Sequence, residues 1–279
     1  MGDELRSYVK KEHISFDEWN TEYTLWLNKL SERRKKGDSL NGPYCDPDDC
    51  YEYYKDLCIF LNKQEEARMN GQFSYSESKE PFGIKVTNKK GEIVFVLHSD
   101  QMGFSAPQRN GNHPYDWYLK HKEYNECSRN NVSKWIYYTR TIGCGFIWPK
   151  EIKTQDKTWN NHIPFNNVRG RLSCEQDRID LTLDVIRKFY FGEIGNRPAF
   201  SEGKQMYKWL SRFGEGDNGW RNYINFMEFT PFVDDYYIPI GLQITKEEFK
   251  NKDAWGSRGD ILELVCSLVT KRSKNMISH

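Results

Sequence analysis

The apolar residues of this chain change their period twice, and that switch limits the fold more than any other feature of the sequence. Up to about residue 61 they recur at helical spacing. From Gly83 to His98 they alternate, and from about residue 176 the helical period returns. A chain whose strands and helices are segregated in this way builds an α+β fold rather than a run of alternating βα units. The expected architecture is a central, mostly antiparallel sheet with an N-terminal helical segment and C-terminal helices packed on it. A helical segment 1–75 followed by a main domain 76–279 fits this order, and so does a single domain.

Local signals sharpen the outline. Phe16, Trp19, Tyr23, Trp26, Leu27 and Leu30 share one helix face, with Ser15 as cap and Glu18 three residues on. Arg33, Arg34, Lys35 and Lys36 then read as a solvated helix end, closed by Gly37. Asp46-Pro47-Asp48-Asp49 opens a second helix carrying Tyr53, Tyr54, Leu57, Phe60 and Leu61. Its acids read as capping, because the Gly and closing Glu of a calcium loop are missing. Asn88-Lys89-Lys90-Gly91 is the turn of a hairpin. Ile142 to Trp148 is a further apolar run, and Gln101 to Asn131 is a polar excursion or lid. Gly214 to Gly219 fits neither phosphate-binding glycine pattern and reads as a flexible loop.

Only 37% of the residues are hydrophobic, but nine Trp, 17 Tyr and 16 Phe supply the area a core needs. That inventory excludes the disordered class. With 41 Lys+Arg against 40 Asp+Glu there is no global field to draw the chain onto nucleic acid or anionic lipid. No apolar run approaches bilayer length, and Met1 to Lys11 lacks a leader's apolar stretch, so the expectation is a cytoplasmic protein with no membrane partner. Seven cysteines, an odd number, suit reduced thiols. Cys45, Cys50 and Cys58 do not have zinc-site spacing, and no metal or other cofactor is expected.

The residues most suggestive of chemistry lie between 166 and 190. Asp177, Asp180, Asp184 and Arg187 line one stripe of an amphipathic helix, beside the apolar stripe Ile179, Leu183, Ile186 and Tyr190. Like charges at that spacing repel, and Arg169, Arg171 and Arg178 are the nearest cations to offset them. Such a cluster either grips a phosphate or carboxylate or is a buried structural network. His98, in His98-Ser99-Asp100, is read either as a general base or as part of a strand-end turn held by Asp100.

Three segments occur in a familiar order: Thr141-Ile142-Gly143-Cys144-Gly145-Phe146-Ile147-Trp148-Pro149, then Asn167-Val168-Arg169-Gly170, then Asp177 to Tyr190 with its Asp180-Leu181-Thr182-Leu183 core. Together they resemble an uncharacterised bacterial domain-of-unknown-function family. Its members share an IGG-like strand, an Arg-Gly turn and a DR-x-DLTLECIRR-x-Y helix. Asp46-Pro47-Asp48, Ser99-Asp100 and the aromatic segment Tyr223 to Asp235 also sit where that family carries similar residues. Here Asp184-Val185 replaces Glu-Cys, and Lys188 replaces the second arginine. The resemblance covers most of residues 45–240. It implies a shared fold and polar cluster and transfers no reaction.

No catalytic motif is present, while Trp, Tyr and Arg, the residues favoured at binding hot spots, are abundant. The first functional expectation is a non-catalytic protein-interaction module: a phage- or prophage-related inhibitor or scaffold acting on a bacterial protein complex. Its partner would be a bacterial protein, and homo-oligomers fit the same surface. The alternative is a nucleotide- or nucleic-acid-processing enzyme, a toxin or defence effector. It would use Arg169 and Arg171 on phosphate, Asp180 or Asp184 as acid, base or ligand, and His98 in support. Binding would also involve Arg178 and Arg187. A small-molecule-binding regulator is the third.

Overall fold

The computed structural model describes residues 5–10, 12–36, 45, 47–78, 82–101, 133–152, 159–160, 179–241 and 259–278. Helix α1 (Phe16–Lys36) starts on the expected capping box. The Ser15 N–H donates to Glu18 Oε2 at 2.8 Å and the Glu18 N–H to Ser15 Oγ at 3.3 Å. These bonds hold the exposed Glu18 carboxyl below its ordinary range. Trp19, Tyr23 and Trp26 are buried on one face. The side chains of Leu27, Leu30 and the basic run, and Gly37 itself, lie outside the described residues.

Helix α2 (Tyr51–Ala67) buries Tyr53, Tyr54, Leu57, Phe60 and Leu61, as their spacing predicts. Its start differs from the expectation. Pro47–Asp49 form a 3-10 turn closed by the Cys50 N–H on the Pro47 carbonyl at 2.9 Å. Cys50 therefore becomes the N-cap residue, and its side chain makes no capping bond.

Strands β1 (Phe73–Ser78), β2 (Gly83–Asn88), β3 (Ile93–Gln101) and β4 (Gly145–Pro149) form an antiparallel sheet in that order. The expected hairpin turn is present. Asn88 Oδ1 accepts N–H bonds from Lys90 at 2.9 Å and Glu92 at 3.0 Å, and Gly91 takes a φ of 77° that suits glycine. β3 runs on past His98, which pairs with Trp148, and past Ser99, which pairs with Ile147. The strand-end turn expected at His98-Ser99-Asp100 is thus replaced by continuous strand, because β4 supplies a pairing partner. β5 (Glu151–Ile152) and β6 (Trp159–Asn160) make a separate short ladder.

Among the described residues the α-helices after the hairpin are α3 (133–138), α4 (Ile179–Tyr190), α5 (Gln205–Ser211), α6 (Gly216–Phe226) and α7 (Gly259–Ser278). Of the supposed loop at Gly214 to Gly219, only Gly214 and Glu215 are a connection, and Gly216 to Gly219 form the first turn of α6. Gly219 is buried there, because a Cβ would run into the Gly214 backbone and the Tyr190 ring. One cluster of buried residues runs from Tyr8 to Met276. Tyr75, Ile84, Val86, Phe95 and Leu97 bury one face of the sheet. α2 packs on β1 and β2, and α5 packs on β4. Arg212 ties these layers together, donating to Glu65 at 2.8 Å and lying 4.0 Å from the Phe73 ring centroid and 4.7 Å from that of Trp209. The Tyr75 hydroxyl donates to the same Glu65 carboxylate at 2.5 Å.

The last helix locks onto the start of β4. Arg272 is fully buried and donates to the carbonyls of Gly143 and Gly145, both at 2.7 Å. It also donates to the Met227 carbonyl at 3.0 and 2.8 Å, with its guanidinium 3.8 Å from the Phe229 ring centroid. Ser273 Oγ accepts the Gly143 N–H at 2.9 Å. A Cβ at Gly143 would collide with the Val269 carbonyl and with Ser273, and one at Gly145 with the Tyr53 hydroxyl. The glycines of this strand are therefore explained by helix–strand contact. Arg272→Met should lower unfolding free energy by about 3–5 kcal/mol, since it strands three buried carbonyls. Urea denaturation measures this, and a loss below about 1 kcal/mol would contradict it.

Candidate functional site

Helix α4 carries the acidic stripe. Ile179, Leu183, Ile186 and Tyr190 are buried, as the periodicity requires. Asp180 is buried too and is not without a partner. Asp184 accepts from Lys188 Nζ at 2.6 Å, an i,i+4 pair. Arg187 lies 4.7 Å from the Phe191 ring centroid. Arg169, Arg171, Arg178 and Asp177 lie outside the described residues.

His98 sits elsewhere, on β3. Alternation along β3 points His98 and Val96 away from the side that buries Phe95, Leu97 and Ser99. Trp148, its partner across the strand pair, meets it edge-on with ring centroids 6.0 Å apart. Tyr54 brings its hydroxyl within 3.4 Å of Nδ1, and Phe82 stacks on Tyr54. Continuing the Ile84↔Leu97 register places Gly83 beside His98 on the other neighbouring strand. A Cβ there would meet the Leu97 carbonyl at 2.9 Å and lie 3.8 Å from Lys150 Nζ. Glycine is required there by the close Leu97 carbonyl, and Lys150, just past β4, reaches back across β3 towards it while its own N–H bonds the Val96 carbonyl at 2.7 Å. Burial, with the nearby Lys150 charge second, depresses the His98 pKa to about 4. Burial likewise lowers that of Lys150.

A third feature faces solvent. Between Phe232 and Ile240 the chain makes a tight loop closed by the Val233↔Pro239 bridge. Asp234 Oδ1 accepts the N–H groups of Tyr236 and Ile238 at 2.9 and 2.8 Å, and the Tyr237 N–H bonds the Asp234 carbonyl at 2.9 Å. Tyr237 takes a φ of 61°, a strained value for a non-glycine residue. It is held there by the Trp220 indole N–H on its carbonyl at 2.7 Å and by the Arg221 guanidinium 4.3 Å from its ring centroid. The result is a rigid knuckle with Tyr236 78% and Ile238 47% exposed, preceded by exposed Asp234 and Asp235.

Among the described residues no group of three or more His, Cys, Asp or Glu side chains is placed to hold a metal ion. Cys50, Cys58 and Cys266 are free thiols, and burial pushes the Cys58 and Cys266 thiols up to about 12, which keeps them protonated and unreactive. Among the described residues no helix is long and apolar enough to cross a membrane.

Residues 36–273 match a family described only as a family of unknown function, DUF6994. The chain belongs to that family. No curated protein and no solved structure matches it. The DUF6994 region takes in His98, the knuckle, α4 and Arg272, while most of α1 precedes it. Sequence reasoning singled out His98 but missed Gly83 and Lys150 beside it. The available signal was a glycine opening a strand and a lysine directly after Trp148-Pro149. Neither carries weight until the register is known.

His98 gives a pH prediction. Its folded pKa of about 4 lies below its ordinary 6.5, so between those values the unfolded chain binds more protons than the native one. Stability is therefore full above pH 6.5 and is lost as pH falls towards about 4. Chemical denaturation of the wild type and of His98→Gln across that window should differ in slope, amounting to about 2 kcal/mol more loss in the wild type. Parallel curves would show that His98 is not buried in its neutral form.

Proposed function

We propose that this DUF6994 protein is a non-catalytic protein-interaction module, and that the Tyr236 knuckle is the part that docks. The supporting observation is preorganisation. An exposed tyrosine and isoleucine sit on a loop whose backbone is already fixed by Asp234, Trp220 and Arg221, so binding orders little that is not ordered beforehand. Rigid aromatic side chains of this kind are typical anchors of interface hot spots. The exposed Asp234 and Asp235 just before it favour a partner with an apolar pocket rimmed by Lys or Arg. A bacterial protein complex blocked or scaffolded by a phage- or prophage-derived protein is the setting that fits this reading.

The enzyme alternative has less to support it. Asp184 is tied to Lys188 and Arg187 lies on Phe191, which are local stabilising roles. The test is affinity purification of the tagged protein from a bacterial host, followed by mass measurement in solution. A stoichiometric protein partner should be retained by the wild type. Tyr236→Ala should weaken it about 10–100-fold without moving the melting temperature. A bare monomer that carries nucleotide or nucleic acid would favour the enzyme instead. Loss of that cargo in Arg169→Ala would then decide for it.

A further inference from the structure

Strand β1 lies at one edge of the four-stranded sheet, and among the described residues no strand lies beyond it. Its sequence, Phe-Ser-Tyr-Ser-Glu-Ser, contains neither proline nor lysine, the residues that often blunt such an edge. Ser74, Ser76 and Glu77 are exposed, which leaves the strand at the surface. A side chain from α2 stands in the way. Asn62 donates from Nδ2 to the Tyr75 carbonyl at 2.9 Å and accepts the Tyr75 N–H on Oδ1 at 3.0 Å. Both backbone groups of Tyr75 therefore turn away from its partner Val86 on β2, and alternation sends those of Phe73 and Glu77 the same way. A planar amide offering a donor and an acceptor side by side reproduces what a neighbouring strand would present. Nδ2 also donates to the Cys58 carbonyl one helical turn back, at 3.0 Å, which fixes the amide in that pose. At the opposite edge of the sheet the Gly145 carbonyl of β4 is taken by Arg272.

We propose that Asn62 is a guard on this edge: by imitating a strand at Tyr75 it keeps a second copy of the chain from adding to β1. A second copy is the occupant expected once the guard is gone. Two β1 edges can pair antiparallel across a twofold axis, each supplying the groups the other lacks. The β4 edge is already engaged by Arg272, so such pairing closes at two copies and does not run on into a fibre. The guard involves α2 and β1 alone, so it stands or falls apart from the docking role of the Tyr236 knuckle.

The experiment compares the wild type with Asn62→Ala by analytical ultracentrifugation over a range of concentrations, with hydrogen exchange of the Phe73 to Ser78 amides as a second readout. Asn62→Ala should reach twice the mass that the wild type shows at the same concentration. Its Phe73 and Glu77 amides should gain protection as that mass rises. Adding Glu77→Pro, which removes an outward N–H and no ladder bond to β2, should return Asn62→Ala to the wild-type mass. A folded Asn62→Ala that keeps the wild-type mass throughout would overturn the proposal and leave Asn62 as a bond that only holds α2 to the sheet. So would a doubling that Glu77→Pro does not reverse. Should Asn62→Ala fail to fold, Asn62→Ser is measured and read in the same way. A serine hydroxyl still bonds the Cys58 carbonyl within the helix but is too short to bridge both Tyr75 groups.

Discussion

The Arg272 guanidinium is the constraint on which the rest of the packing depends. It is a permanent charge held in the interior, and what replaces water around it is a ring of carbonyl dipoles from Gly143, Gly145 and Met227 with the face of Phe229 beneath. Burial pulls its pKa down to about 10, so it remains a cation at neutral pH. Satisfying it requires α7, the start of β4 and the turn after α6 to meet at one point. Gly143 and Gly145 are the price of that meeting, since either Cβ would push α7 or α2 away. Gly143 and Gly145, before and at the start of β4, are therefore packing devices.

The same logic runs through the remainder of the core. Aromatic rings replace aliphatic filling, and arginines lie on their faces: Arg212 on Phe73 and Trp209, and Arg68 on Phe213 and Phe226. Rings give large contact area with few rotors, and their negative faces receive cations that a core of Leu and Val would reject. This explains how a chain with a mean hydropathy of −0.85 buries a continuous cluster. It also explains why so many of its polar atoms serve structure.

One place stands apart because its apolar groups serve no evident structural purpose. At the knuckle, a backbone strained at Tyr237 displays Tyr236 to solvent. Strain costs stability, and folds retain it most readily where a ligand or partner recovers the loss. The α4 stripe behaves differently: where described, Asp184 and Arg187 are used within their own helix and its end.

Much of the fold was legible from neighbours within four residues. The Ser15–Glu18 capping box, the Asn88–Gly91 turn, the aromatic faces of α1 and α2 and the apolar stripe of α4 all express interactions between residues close in sequence. β1 was missed because Phe-Ser-Tyr-Ser-Glu-Ser is an edge strand with little apolar alternation to read. The start of α6 was mistaken for a loop because Gly219 is demanded by Gly214 and Tyr190 rather than by a turn. The sequence by itself therefore determined the α+β class, the order of elements and the aromatic character of the core. Only the tertiary structure decided that Arg272 would be buried against Gly143, 129 positions away, and that Lys150 would cross β3 to reach Gly83. The physical reason is that burial of a charge depends on which distant backbone supplies its dipoles, and local periodicity carries no record of that choice.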